Sequence, residues 1–259
     1  MNFFEAVVFG VVEGITEFLP ISSTGHLILT AHLLKLPESD FLKTFQIAIQ
    51  FGAILAVVVL YGRSLILNRK ILSRVAVAFL PAAGLGFIFY KVIKNVLLEN
   101  ESVVLWSLFL GGIFLVCFEL FYSKKEALGG ELEDISFGQS FIIGIFQAVA
   151  VVPGVSRAAA TIIGGLLLGL KRKTIVEFSF LLAIPTMAAA TGYDLFKNAV
   201  VFSSQDVILL ACGFAVSFIV AVFSIRFLLH YIKNHNFMVF GIYRILVALL
   251  FWLTLRRGI

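Results

Sequence analysis

The sequence predicts an all-α integral membrane protein, an inverted-topology repeat with six transmembrane helices and two re-entrant helical hairpins. Three observations lead to this fold class: an excess of apolar residues, six long apolar stretches, and two interrupted apolar stretches that resemble each other. Hydrophobic residues make up 61% of the 259 positions and charged residues only 14%. Soluble domains have about 45–50% apolar and about 25% charged residues, so a soluble globular domain is excluded.

Six apolar stretches have the length of a membrane span, which needs about 20 residues. They cover about 43–61, 75–93, 103–122, 176–195, 207–229 and 237–255. The net charge of +5 comes from Lys and Arg clusters between these stretches. Such clusters are typical of membrane loops and do not indicate a nucleic acid partner.

Two further apolar stretches, at 2–34 and 137–170, are each interrupted near the middle by a proline and at least one serine. Each piece beside an interruption has roughly 14–17 residues, which is too short to cross a hydrocarbon core of about 30 Å comfortably. Two short helices that meet at a break predict a re-entrant hairpin. Lipid tolerates a broken backbone only where protein or a cavity covers it.

The two interrupted stretches align with each other, which indicates an internal repeat. The residues of 10–13 match those of 144–147, and the breaks at 20–23 and 153–156 correspond. The chain is therefore predicted to be one membrane domain, with repeat 1 at about 1–122 and repeat 2 at about 137–259. Because each half has three spans, an odd number, the second half is inverted, and a binding site is expected where the breaks face each other.

Loop charge predicts the orientation. Eleven of the 20 Lys and Arg residues lie on the side away from the N-terminus and seven on the N-terminal side, while Arg157 and Arg244 fall within apolar segments. The positive-inside rule then places both termini outside the cell. Arg244 receives no role from the sequence.

Four ionisable residues near the breaks are not explained by apolar packing: Glu13, Glu17, His26 and Arg157. Each costs about 2.5–3.5 kcal/mol in a membrane helix and indicates function. Glu13 and Glu17 lie four residues apart on one helix face, where like charges require a cation, an arginine or a shared proton. The alternative is a pair of solvated carboxylates that reach the membrane surface.

Three hydroxyl residues, Ser22, Ser23 and Thr24, open the helix after the first break. Their hydroxyls could cap free backbone N–H groups, or they could bind substrate. Ser23 and His26 are three residues apart, and a hydroxyl beside an imidazole is a nucleophile–base arrangement. The sequence leaves both functions open.

Arg157 follows the second break and needs an anion, either one of the two glutamates or a ligand phosphate. Helix N-termini at both breaks favour phosphate, and guanidinium binds phosphate with two hydrogen bonds. Gly154 would let the backbone approach a ligand closely. Other polar residues that could contact the same ligand are Ser156, Thr161, Gln50 and Gln147.

These motifs resemble those of a known family, the undecaprenyl-pyrophosphate phosphatases of the bacitracin-resistance type. The segment 13–26, EGITEFLPISSTGH, is similar to the first family signature, and 153–161, PGVSRAAAT, to the second. The segment 178–185, FSFLLAIP, resembles a third stretch of the family. The resemblance covers the whole chain in order.

The resemblance implies hydrolysis of a C55 polyprenyl diphosphate to its monophosphate, which recycles the lipid carrier of peptidoglycan synthesis and confers bacitracin resistance. It implies that Glu13, Glu17, Ser23, His26 and Arg157 form the active site, the last four as catalytic residues. It also implies stimulation by a divalent cation, magnesium or calcium, for which Glu13 and Glu17 are the candidate ligands. It also implies a multi-pass protein of the bacterial inner membrane whose active site opens to the outer face. The expected partners are the lipid substrate and membrane lipids, and a homodimer is left open.

One departure from the family concerns the second motif, which usually continues Ser-Arg-Ser-Gly-x-Thr. Here Ala158 and Ala159 replace a hydroxyl residue and a glycine. Any phosphate contact from that hydroxyl is lost, so weaker binding or an altered pH dependence is expected, with the same reaction.

The sequence supports one mechanism and one rival. In the mechanism, Ser23 attacks the terminal phosphorus with His26 as base, or His26 positions a water, while Glu17 holds a proton or orients His26. The rival is a polyprenyl-phosphate transporter or flippase, because many carriers have inverted repeats with broken helices. A carrier needs an anion site but no nucleophile with a base, so the Ser23/His26 pair beside two carboxylates discriminates between the two.

Overall fold

The computed structural model describes residues 1–37, 39–89, 100–122, 130–197 and 203–256, without the side chains of 63–67, 194–197 and 254–256. Within these ranges the chain is helical and contains no strand. The α-helices are α1 Phe3–Thr16, α2 Ser23–Leu33, α3 Asp40–Leu67, α4 Arg69–Ile88, α5 Glu101–Phe121, α6 Phe137–Val149, α7 Arg157–Leu167, α8 Arg172–Lys197, α9 Ser204–Tyr231 and α10 Met238–Arg256.

Five helices are long and apolar enough to cross a membrane, which confirms a multi-pass helical membrane protein. They are Asp40–Gly62, Arg69–Ile88, Glu101–Phe121, Arg172–Tyr193 and Ser204–Tyr231. The sixth predicted span corresponds to α10, whose apolar part, Met238–Leu253, is shorter. The arrangement of six spans and two re-entrant hairpins therefore stays a prediction. The end of the predicted span 75–93, at 90–93, lies outside the described residues.

Helix ends differ from the apolar stretches because polar residues cap and extend the helices. Asn68 accepts hydrogen bonds from the backbone at the start of α4, and Asn100 does the same for α5. The first turn of α4 is polar, yet Arg74 belongs to the helix and its Nε donates to Ile135 O at 2.8 Å. A side-chain cap stabilises a helix start by about 1 kcal/mol, so α4 begins six residues before the predicted span.

Both predicted interruptions are real breaks between short helices. The helices α1 and α2 have 14 and 11 residues, and α6 and α7 have 13 and 11. At 1.5 Å per residue none exceeds roughly 21 Å, short of a hydrocarbon core of about 30 Å. The turns at 17–22 and 150–156 therefore lie within the helical bundle.

The first hairpin helix of each half packs against a long helix of the other half. Helix α1 packs against α9, where a Cβ on Gly10 would lie 2.7 Å from Gly213 O. Helix α6 packs against α4, where a Cβ on Gly144 would lie 2.2 Å from Ala78 O. In each case the first hairpin helix of one half meets the second long helix of the other through aligned glycines. This reciprocity is what a two-fold repeat requires, and the repeat boundaries remain a prediction.

The core joins the first break to the second half of the chain. Phe18 is fully buried and meets Phe180 edge to face, with ring centroids 5.3 Å apart. Ala158 and Ile162 of α7 belong to the same buried cluster. The polar residues of the two breaks are therefore held together by apolar packing around them.

Candidate active site where the two chain breaks meet

The two breaks share an unusual backbone conformation. Ser22 and Ser156 are the residues before α2 and α7, and their φ angles are 72° and 79°. Positive φ is uncommon outside glycine and costs about 1–3 kcal/mol, and it concentrates at functional sites. Each hydroxyl accepts from a backbone N–H, Ser22 from Gly25 at 3.4 Å and Ser156 from Ala159 at 3.2 Å. Both serines thus cap helices. For Ser22 this is one of the two sequence-based alternatives, whereas for Ser156 the sequence analysis predicted only a contact with ligand.

Three predicted catalytic residues form one line of contacts across the breaks. Ser23 Oγ donates a short hydrogen bond to Glu17 Oε2, and Arg157 Nη2 donates to Glu17 Oε1 at 2.8 Å. The Arg157 and Glu17 side chains are 11% and 4% exposed. Glu17 belongs to the first break and Arg157 to the second, so this buried ion pair joins the two halves.

A further hydrogen bond, from Arg157 to the backbone, also holds the ion pair in place. Arg157 Nη1 donates to Ser179 O on α8 at 2.9 Å, and Thr161 Oγ1 shares a hydrogen bond of 2.6 Å with Ser179 Oγ. Thr161 is fully buried and also donates to the backbone of its own helix. Its hydroxyl therefore supports α7 and α8 rather than the open site, in contrast to its predicted phosphate contact.

His26 lies near this line, but both of its ring nitrogens have hydrogen-bond partners other than Ser23. Its role as base for Ser23, or as the residue that positions a water, stays a prediction. Its Nδ1 lies 2.8 Å from Ser22 O, and its Nε2 lies 2.9 Å from Tyr243 Oη. A carbonyl only accepts, so Nδ1 carries a proton and donates to Ser22 O. When the ring is neutral, Nε2 accepts from the tyrosine hydroxyl. The two rings are also stacked, 5.5 Å apart with a 4° interplanar angle. The group in contact with Ser23 is Glu17.

Glu13 is the most isolated charge of the site. It is fully buried, and neither carboxylate oxygen has a hydrogen-bond partner among the described residues. It lies within electrostatic range of Glu17 and Arg157. A buried carboxylate is costly unless something neutralises it. The Nε of Arg157 likewise lacks a partner in the described part of the chain, and such orphaned groups fit a bound ligand or cation.

A cation here would depend on few protein ligands. No cluster of three or more His, Cys, Asp or Glu with metal-binding geometry occurs among the described residues. Magnesium is often bound through one or two carboxylates and substrate phosphates. Glu13 fits that donor set, whereas both oxygens of Glu17 already accept hydrogen bonds.

Four further residues were predicted to contact the ligand, and two of them have structural contacts within the protein. Gly154 has φ +94°, and a Cβ there would lie 2.6 Å from Val104 O. The glycine is required for contact with α5, which is a different reason from the predicted approach to ligand. Gln147 is buried and donates to Thr186 Oγ1 at 3.1 Å. Thr24 and Gln50 are partly exposed, and their predicted contacts with substrate stay predictions.

Two neighbouring residues of α10, Tyr243 and Arg244, were missed by the sequence analysis. Tyr243 contacts His26, and it is 40% exposed. Arg244 is 1% exposed and donates to carbonyl oxygens of both breaks. The only sequence signal was an arginine within an apolar segment, which does not say what it contacts.

Comparisons with known proteins show which family this chain belongs to. The profile of the bacitracin resistance protein BacA family matches residues 6–250. An undecaprenyl-diphosphatase of Aquifex aeolicus is 51% identical over 251 residues, which are 97% of this chain and 98% of that protein. Undecaprenyl-diphosphatases of Sulfurihydrogenibium sp. and Thermus thermophilus are each 48% identical, over 253 and 250 residues. They cover 98% and 94% of this chain, and 99% and 94% of their own lengths. The chain belongs to the bacitracin resistance protein BacA family.

Proposed function

We propose that this protein is an undecaprenyl-diphosphatase, a membrane hydrolase that converts a C55 polyprenyl diphosphate to the monophosphate and inorganic phosphate. The observation that carries the proposal is the line of contacts Ser23–Glu17–Arg157 at the meeting of the two breaks. It supplies a nucleophile, a base and a cation, which is what attack on a phosphoric anhydride requires.

In the proposed reaction, Ser23 Oγ gives its proton to Glu17 Oε2 and attacks the terminal phosphorus. The bond from that phosphorus to the bridging oxygen breaks, and the lipid monophosphate leaves. Glu17 passes its proton to the departing lipid monophosphate and becomes a base again. Water then attacks the phosphoserine while Glu17 accepts a proton from it, and this proton returns to Ser23 Oγ as inorganic phosphate leaves. Arg157 stabilises the charge that develops on the phosphoryl oxygens while it holds Glu17 in place.

The role proposed for His26 follows from its contacts. With Nδ1 and Nε2 both bonded, His26 is placed to orient the start of α2 and one wall of the site rather than to take the serine proton. Its Tyr243 partner is partly exposed, so this pair borders the entrance for substrate. Exposed apolar side chains elsewhere on the helices are available to contact the prenyl chain and membrane lipids.

A divalent cation, magnesium or calcium, is proposed to bind Glu13 together with diphosphate oxygens. When bound it would neutralise the buried carboxylate and withdraw electron density from the leaving phosphate. Glu13 is supported as its ligand by two unpartnered buried oxygens. Glu17 is then left free to serve as base.

The location proposed is the bacterial inner membrane, with the site open to the outer face. The support is the Lys and Arg excess on the side away from the N-terminus, which the positive-inside rule assigns to the cytoplasm. All residues of the proposed mechanism come from one chain, so a homodimer is not needed for it.

The test is inorganic phosphate release from undecaprenyl diphosphate by purified protein in detergent, where transport has no meaning. Ser23→Ala and Arg157→Ala should each lower the rate at least about a hundredfold, because each removes a group of the line. Ser140→Ala is a matched control, since Ser140 is fully buried and its hydroxyl donates to Ser136 O, a backbone carbonyl at the start of α6. Near-normal rates for Ser23→Ala would remove Ser23 as nucleophile.

A further inference from the structure

Arg244 of α10 connects the two breaks without any contact to the Ser23–Glu17–Arg157 line. Its Nη1 donates to Pro20 O in the first break at 3.4 Å and to Val155 O in the second at 3.0 Å. Its Nη2 donates to Gly154 O at 2.9 Å and to Ser107 O at 3.0 Å. One planar group therefore fixes the carbonyls of both turns and of α5 at once.

The packing around Arg244 leaves room for this guanidinium and little else. A Cβ on Gly111 of α5 would lie 2.1 Å from Arg244 Nη2, and a Cβ on Gly112 would lie 2.7 Å from Gly241 O. These glycines bring α5 and α10 close together with the arginine between them. Any side chain at position 111 has to displace the guanidinium.

The charge of Arg244 is not offset by a carboxylate among the described residues, since its recorded hydrogen bonds go to backbone carbonyls. Carbonyls solvate a guanidinium through their dipoles but carry no net charge. Arg157 differs, because Glu17 neutralises it. Arg244 also lies within electrostatic range of His26. Arg244 thus brings to the buried site a positive charge that no carboxylate contacts among the described residues.

We propose that Arg244 is a positioning residue that holds the two breaks in register and supplies the uncompensated positive charge that draws the diphosphate between them. The carbonyl and N–H of a trans peptide point in opposite directions. Fixing Val155 O on Arg244 therefore turns the N–H of Ser156 away from it, at the start of the helix that carries Arg157. The proposal rests on the proposed diphosphatase function for its catalytic consequence but not for its anion binding.

Three variants distinguish the two tasks proposed for Arg244, which are to position the two breaks and to supply a positive charge. Arg244→Lys keeps the charge, but an ammonium with three donors cannot span the same carbonyls. Arg244→Gln loses the charge, and Gly111→Ala keeps arginine but displaces it. Gly84→Ala is the matched control, because nothing lies within 4 Å of a Cβ there. Melting temperature in detergent, pyrophosphate affinity, and kcat and KM for polyprenyl diphosphate are measured on each full-length protein.

Arg244→Lys should lower kcat at least tenfold and change pyrophosphate affinity less than threefold. Arg244→Gln should weaken pyrophosphate binding at least tenfold, and Gly111→Ala should lower kcat at least tenfold. If Arg244→Gln does not fold, Arg244→Lys and Gly111→Ala still decide whether Arg244 positions the breaks, and Arg244→Met, which is also uncharged, is measured for pyrophosphate affinity in its place. The proposal is overturned if the folded variants differ from wild type only in melting temperature, with kcat, KM and pyrophosphate affinity unchanged. A wild-type protein that binds pyrophosphate but releases no phosphate would instead contradict the proposed function.

Discussion

Glu17 has two oxygens with two separable tasks, and a pair of substitutions can measure each task alone. Oε2 accepts from Ser23 and Oε1 accepts from Arg157 at 2.8 Å. In Glu17→Gln the amide oxygen can still accept from Arg157, while the amide nitrogen faces Ser23 and cannot take its proton. In Glu17→Ala both contacts are lost.

The two contacts of Glu17 determine the effects that we expect on the reaction rate and on stability. Loss of a general base lowers the rate by roughly 10²–10⁴-fold, which is about 2.7–5.4 kcal/mol of transition-state free energy. Both variants should show this loss in phosphate release. Only Glu17→Ala leaves the buried Arg157, 11% exposed, without its carboxylate or a replacement acceptor. Removing one partner of a buried pair costs about 3–5 kcal/mol of stability.

The assay combines phosphate release with thermal unfolding in the same detergent. Glu17→Gln should be slow but nearly as stable as wild type, and Glu17→Ala should be slow and clearly less stable. The double variant Ser23→Ala/Glu17→Gln should be about as slow as the slower single variant, because residues that act as a unit are not additive. A Glu17→Gln rate within tenfold of wild type would refute Glu17 as the base.

Three further substitutions test the borders of the site. Tyr243→Phe removes the hydrogen bond to His26, worth about 1 kcal/mol, and should lower kcat/KM about fivefold; an effect above a hundredfold would give the tyrosine a chemical role. Glu13→Gln in EDTA-treated protein should abolish most of the stimulation by added magnesium or calcium, and unchanged stimulation would contradict Glu13 as the ligand. Gly154→Ala should lower stability by about 1–3 kcal/mol because of its positive φ, and unfolding measurements that match wild type would contradict this strain.

The sequence predicts the helices and breaks because both depend on local signals. Apolar length identifies α5, α8 and α9 to within about four residues at each end, and proline with serine identifies both breaks. It also identifies the start of α3, although α3 continues six residues beyond the predicted end, to Leu67. The first residues of helices are harder to predict from the sequence, since caps such as Asn68 extend a helix beyond its apolar part. Residue type alone also identifies buried charges, because an ionisable group in an apolar segment is costly.

The partners of those charges could not be predicted, because they depend on how the turns fold back. The spacing of Ser23 and His26 suggested a pair on one helix face, but Ser23 is the first residue of α2 and its side chain returns to the turn, where Glu17 ends α1. The partner of His26, Tyr243, is 217 positions away in the chain. No local pattern relates residues so far apart.

The contacts between the halves also bear on the carrier alternative. A carrier of this architecture works by moving one repeat against the other around a fixed site. Here the Glu17–Arg157 pair and the hydrogen bond from Arg244 to Pro20 O cross between the halves at the site itself. Each movement would have to separate a buried ion pair, at about 3–5 kcal/mol, and leave the carbonyl of Pro20 without this donor. A hydrolase gains from the same contacts, because they keep Ser23 and the cation of Arg157 in a fixed geometry around the phosphorus.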